Sequence, residues 1–146
     1  MAQTELLSDR PDAAIGQYEK VLQLDPANII ALNDLAYVLA DTGRDPDRAL
    51  MLAQKVKSMA SSSASVDDTI GWAYYKKGMY RASLDYLNRA ATGGTPIRKC
   101  HLAMTYIQIG DKQKASVLVQ AALKEDPNLP EAQKALQLMS ANRAIQ

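Results

Sequence analysis

The sequence predicts an all-α fold built from repeated antiparallel helix pairs, and three observations carry that expectation. Seven Gly and six Pro in 146 residues are few, Phe is absent, and Ala and Leu dominate the apolar set. That composition favours helix over strand on intrinsic propensity. Glycines that end helical runs recur as Gly43, Gly78 and Gly110, at spacings of 35 and 32 residues. Small residues at Ala36, Gly71 and Ala103 sit seven positions before those glycines, so two independent columns share one period. A third column runs Ala14, Ala49, Ser83 and Ala115, and a fourth runs Val21, Val56, Ala90 and Ala122.

The elements follow in order from these columns and from the helix-start signals between them. Asp9 two residues before Pro11 opens a helix over 12–24, and Asn28 precedes an apolar-periodic run over 28–42. Asp45 before Pro46 starts a helix over 46–58. The run Ser61-Ser62-Ser63-Ala64-Ser65 reads as a loop ending in a helix cap, followed by helices over 66–77 and 80–91. Gly93-Gly94-Thr95-Pro96 is a turn into a helix over 96–109, and another helix follows over 112–125. Asn128 with Glu131 forms a box-like start to a last helix over 129–141, with Ala132, Ala135, Leu136 and Met139 on one face and Gln and Lys opposite. Two antiparallel helices approach closely only where small side chains meet, which is the physical content of the small-residue columns.

These columns resemble the tetratricopeptide repeat, a helix-turn-helix unit of about 34 residues. Copy three carries the pattern most fully, with Ile70-Gly71-Trp72-Ala73-Tyr74 followed by Ser83, Leu87 and Ala90. Copy two has Leu35-Ala36, Leu39 and Ala49; copy four has Leu102-Ala103, Tyr106, Ala115, Ala122 and Pro127. Copy one keeps only Ala14, Tyr18, Val21 and Pro26. The departures are an extra residue at Arg44-Asp45-Pro46-Asp47, Ser83 in place of Ala, and Ser61 and Thr95 where the pattern closes with Pro. The resemblance implies a right-handed superhelical solenoid: a partial repeat at 1–28, repeats at 29–63, 64–95 and 96–129, and a capping helix and tail at 130–146. Ala2 to Ser8 supply about half a helix, so the chain reads as a fragment of a longer protein with further copies upstream.

In this family the first helix of each repeat lines a concave groove, and the ligand-facing positions are carried over residue by residue. One column is Tyr37, Trp72 and Met104, and the next is Ala40, Tyr75 and Ile107. Flanking columns are Asn33, Asp68 and Cys100, then Asp34, Thr69 and His101; Asp41, Lys76 and Gln108 stand at the far end and Ile30, Ser65 and Ile97 at the entry. Trp72 lies off the family's usual tryptophan position, which implies an exposed aromatic anchor for an extended peptide. The alternative, that Trp72 folds over a neighbouring helix and fills space, stays open. Tyr18, Tyr74, Tyr86 and Tyr106 read as core by their helical spacing.

A subgroup of the family grips acidic chaperone C-termini with Lys, Asn and Arg. This sequence departs from it, because the corresponding sites hold Asn33, Asp34, Tyr37, Ser65, Asp68 and Thr69. Asp34, Asp41 and Asp68 point instead to a ligand with apolar or aromatic anchors and one or two basic groups, or are solvated surface charge. Charge is also divided along the chain, −5 over residues 1–70 and +6 over 71–146. That distribution suits self-association or a mixed-charge partner, with a solvated face as the plainer explanation.

Composition excludes several other classes. With 47% hydrophobic and 23% charged residues the chain has the make-up of a folded domain, and its net charge of +1 favours neither nucleic acid nor an acidic membrane. No apolar run approaches the ~18 residues of a membrane span. Cys100 is the only cysteine and His101 the only histidine, too few for a metal ligand set. There is no Gly-x-Ser-x-Gly turn and no phosphate-binding glycine loop, so no catalytic residue, metal or cofactor is assigned. The leading expectation is a non-catalytic scaffold that binds a protein segment in its groove. Copies two to four, including Asp68-Thr69-Ile70-Gly71-Trp72, are similar to the C-terminal repeats of bacterial tetratricopeptide lipoproteins linked to exopolysaccharide and protein sorting. That similarity implies the alternative of a carbohydrate-binding module of an export system; a docking arm for an upstream enzyme is the third reading.

Overall fold

A computed structural model describes residues 10–60 and 63–144; the half-helix expected at Ala2 to Ser8, the Asp9 cap and the loop residues Ser61 and Ser62 lie outside them. Among the described residues the secondary structure is eight helices and no strand. They are α1 (Pro11–Leu24), α2 (Ile29–Asp41), α3 (Pro46–Met59), α4 (Ala64–Lys76), α5 (Tyr80–Ala91), α6 (Pro96–Ile109), α7 (Lys112–Glu125) and α8 (Pro130–Ala144). The all-helical expectation holds. Two boundaries move by more than one residue: α4 begins at Ala64, so Ala64 and Ser65 are helical and Ser63 stands at the helix start without a capping side-chain bond, and α8 runs on from the expected 141 to Ala144.

Local chemistry accounts for the starts and stops. Asn28, Asp45 and Asp111 each accept a hydrogen bond from the backbone N–H three residues on, at 2.9, 2.9 and 3.1 Å, which satisfies an otherwise orphaned first-turn donor. Pro46 and Pro96 follow at first-turn positions, where a missing N–H costs nothing. α6 ends in the left-handed conformation at Gly110, φ 98°, with the Gly110 N–H bonded to Ile107 and the Asp111 N–H to Tyr106. That pair of bonds closes the last carbonyls and needs a residue without a Cβ penalty at φ > 0.

The helices pack as antiparallel neighbours in chain order, and successive first helices α2, α4, α6 and α8 also touch one another along an inner face. The hairpin seams are built from small residues. Ala36, Ala49, Ala53, Gly71, Ala90, Ala103, Ala115 and Ala122 are buried, and a Cβ at Gly71 would stand 2.6 Å from the Leu87 side chain. α8 closes the far end by setting Ala132, Ala135 and Met139 into the same cluster as Cys100, Ala103 and Met104. At the near end α1 buries only Ala14, while Leu24 and Ile30 are 91% and 73% exposed.

One buried carboxylate ties three consecutive helices together. Asp67, 4% exposed at the start of α4, accepts from Lys57 Nζ of α3 at 2.6 Å and from Arg89 Nε of α5 at 3.4 Å. Both cations also lie over the Tyr86 ring, at 5.0 and 4.8 Å from its centroid.

Candidate functional site

The expected groove residues do meet along α2, α4 and α6, but several are buried rather than groove-facing. Trp72 is 4% exposed, His101 1% and Asp68 6%, and Thr69, Cys100 and Met104 are buried with them. The exposed Trp72 anchor expected from the sequence is therefore corrected, and the space-filling alternative holds. The physical reason is reach: neighbouring inner helices touch, so a large side chain on one covers itself with groups on the next.

Five contacts show this. The Trp72 ring of α4 stacks on His101 of α6 with centroids 4.0 Å apart, and on Tyr75 of its own helix at 4.5 Å. Its indole Nε1–H donates to Asp41 Oδ1 of α2 at 3.0 Å, which supplies the partner a buried indole needs. His101 Nδ1 lies 2.9 and 3.1 Å from the two oxygens of Asp68. A carboxylate only accepts, so Nδ1 carries a hydrogen toward Asp68. His101 Nε2 is buried without a partner. The Tyr37 ring of α2 sits on the other side, 6.1 Å from the imidazole centroid. A chain of buried polar and aromatic groups thus crosses three helices that are distant in sequence.

Above this layer lies the accessible part. Asn33, Tyr37, Asp41, Tyr75 and Gln108 are half-buried and Lys76 is exposed, with its Nζ 5.1 Å from the Trp72 ring. Gln108 Nε2 donates to the Tyr75 hydroxyl at 3.3 Å, and Asn33 Nδ2 to Ser65 Oγ at 3.2 Å. Asn33, Tyr37 and Asp41 are four residues apart and share one face of α2. Asp34 departs from the expected groove set. It is half-buried beside Tyr18 of α1, where burial raises its carboxyl above the usual range and the Tyr18 hydroxyl partly offsets the shift.

Electrostatics single out Tyr37. Burial first, then the charges of Asp41, Asp68 and Glu131, push its hydroxyl far above the ordinary tyrosine value. Burial, with Glu131 second, pushes the Cys100 thiol up to about 12. Glu131 was legible in the sequence only as a helix-start residue; from α8 its charge adds to both shifts. Among the described residues no group of three or more His, Cys, Asp and Glu side chains is arranged to hold a metal ion, and no helix is long and apolar enough to cross a membrane.

Comparison with known proteins agrees with this architecture. The tetratricopeptide repeat family model matches residues 99–129, which span α6 and α7. Cellulose synthase operon protein C of Pseudomonas fluorescens strain SBW25 is 30% identical over 145 residues, covering 89% of this chain. The chain spans 11% of that relative's length. The crystal structure of MamA superposes with a TM-score of 0.67 at 23% identity, covering 99% of this chain and 85% of that one. A tetratricopeptide repeat protein from Parabacteroides merdae does so at 0.64 and 15%, covering 98% and 58%. Eight alternating helices among the described residues, small-residue seams on a period near 34, and these likenesses give the chain a tetratricopeptide-repeat fold, with the family model matched over 99–129.

Proposed function

We propose that the array is a non-catalytic scaffold that holds an extended segment of a partner protein along the inner face of α2, α4 and α6. The observation that carries this reading is the pairing of accessible aromatic rings with a rigid support. Tyr37 and Tyr75 are half-buried with polar neighbours Asp41, Lys76 and Gln108, and both pack against the Trp72–His101 stack. Rings held in place lose little entropy on binding, which makes them effective anchors. Asn33, Asp34, Asp68, Thr69, His101 and Met104 then act from the flanks or from below rather than as direct contacts.

Trp72 is the lone tryptophan and sits under the face, so its emission reports on binding there. Peptide arrays probed with wild type and with a Tyr37→Ala/Tyr75→Ala variant of unchanged helicity test the reading. The variant is expected to lose captured peptides by about tenfold or more in affinity, as removal of anchor residues does. Identical array patterns for the two proteins would sink it.

A second reading is favoured by one observation, the similarity to a protein named for a cellulose synthase operon. In it the same tyrosines stack on a polysaccharide strand. Titration with soluble cello-oligosaccharides that shifts Trp72 emission, with no response to any peptide, would put this reading first.

A further inference from the structure

One place in the array is closed twice by an ion pair and left open once. Two positions before the column Ala14, Ala49, Ser83 and Ala115 stand Asp12, Asp47, Arg81 and Gln113. Asp12 of α1 pairs with Arg44, and Asp47 of α3 with Lys77. Each cation comes from the turn of the next hairpin, beside Gly43 or Gly78, so each pair ties a second helix to the repeat that follows it. At the third junction the sign is reversed. α5 presents Arg81, and the turn of the next hairpin offers Ile109 and Asp111 on either side of Gly110. Asp111 is committed to its own helix, accepting from the Lys114 N–H at 3.1 Å and holding Lys114 Nζ at 3.3 Å. Among the described residues no carboxylate stands within 4 Å of Arg81, its helical neighbour Asp85 included.

The open junction is also a groove. It encloses about 590 Å³, walled by Gly78, Met79, Tyr80 and Arg81 on one side and by Gln108 and Ile109 on the other, a size in the range of ligand clefts. Met79 and Ile109 are exposed apolar side chains, and the Tyr80 ring lies 5.3 Å from that of Tyr75. Lys76 and Lys112, close in the chain to Gly78 and Ile109, are in no ion pair among the described residues. The groove therefore joins an apolar lining to cations without counter-charge. Its complement is an apolar side chain next to a carboxylate, which a guanidinium grips through two parallel N–H bonds.

We propose that this groove docks a partner-protein segment in which an Asp or Glu side chain stands next to an apolar one. The carboxylate pairs with Arg81 and closes the third junction from outside, as Asp12–Arg44 and Asp47–Lys77 close the first two from within. The apolar side chain lies on Met79 and Ile109. A side-chain carboxylate, rather than a chain terminus, is what the two closed junctions use. Basic segments are disfavoured by repulsion from Arg81, Lys76 and Lys112. The groove is separate from the inner face, and the proposal does not depend on the reading given for that face.

The test selects the full chain against a library of fixed-length peptides with blocked termini, randomised at every position, in parallel with four variants of unchanged helicity. Arg81→Gln removes the cation. Arg81→Asp/Ile109→Lys rebuilds the ion pair of the preceding junction across the groove. Lys134→Gln removes an exposed charge on α8, and Tyr37→Ala removes an inner-face anchor. Wild type, Lys134→Gln and Tyr37→Ala are expected to enrich Asp or Glu beside an apolar residue. Re-synthesised peptides are expected to bind at least about tenfold tighter than their Asn or Gln counterparts, a preference that added salt weakens. Arg81→Gln and Arg81→Asp/Ile109→Lys should abolish that preference.

An acidic preference that survives Arg81→Gln, or the absence of one in wild type, would overturn the proposal. So would a preference lost in Tyr37→Ala and kept in Arg81→Gln, which would assign the acidic segment to the inner face. Self-association of wild type in sedimentation runs, abolished by Arg81→Gln, would give the groove to a second copy of the chain instead.

Discussion

The seams inside the hairpins and the seam across the inner face are made of different materials. Within the hairpins, Ala36, Ala49, Ala53, Gly71, Ala90, Ala103, Ala115 and Ala122 meet apolar partners such as Leu87, and the same kind of contact recurs from copy to copy. Across the inner face each contact occurs once: Trp72 to Asp41, His101 to Asp68, Trp72 on His101. The hairpin seams make the fold, and any repeat of this type can share them. The inner seam is made of contacts particular to these residues, and the binding face proposed above lies over it.

Four perturbations break or sharpen that contrast. Trp72→Ala removes a buried ring that bridges three helices and is expected to cost about 3–5 kcal/mol, read from urea unfolding followed by circular dichroism. A loss near that of an ordinary surface substitution would mean the inner seam contributes little. Gly71→Ala perturbs a hairpin seam instead. The added methyl meets Leu87, so a loss of about 1–3 kcal/mol is expected, reduced by roughly 1 kcal/mol of helix propensity. Combining it with Leu87→Ala should cost less than the two changes summed, because removing the γ and δ carbons makes room.

The third perturbation is alkaline pH. The unfolded chain releases the Tyr37 proton near the ordinary value of about 10, while the folded chain retains it to higher pH. The folded state then binds more protons, so stability present below that pH falls as pH rises beyond it. Tyr37→Phe should flatten the decline in unfolding free energy above about pH 10. The smallest effect is kinetic rather than energetic. With its thiol pushed up to about 12 and its side chain buried, Cys100 should resist alkylation at pH 8 until the array opens. Rapid labelling of the native chain would show that the seam beside α8 opens locally.

What could be read in advance follows from the same contrast. Recurrence exposes a contact to sequence reading, which is why the helices, the Asn28 and Asp45 caps and the small-residue columns were all legible. Single contacts leave no periodic trace. The fate of Trp72 depends on which residue the next helix places opposite it, and nothing local to Gly71-Trp72-Ala73 encodes His101. Asp34 was assigned to the groove from its column, yet the fold turns it to Tyr18. Lys57 and Arg89 belong to no repeat column, so their convergence on Asp67 was invisible before α3, α4 and α5 were assembled.

That convergence on Asp67 bears on how the array would yield under load. A solenoid stabilised only by neighbouring contacts unzips unit by unit when its ends are pulled apart. Here a single buried carboxylate holds cations from the helices on either side of its own, so one side chain joins α3, α4 and α5. If that link outlasts the end contacts, the three helices are expected to give way as one block in forced unfolding, and Asp67→Asn to divide that event. In a longer array under tension, such a block is a fixed length that keeps its inner face intact while its surroundings stretch.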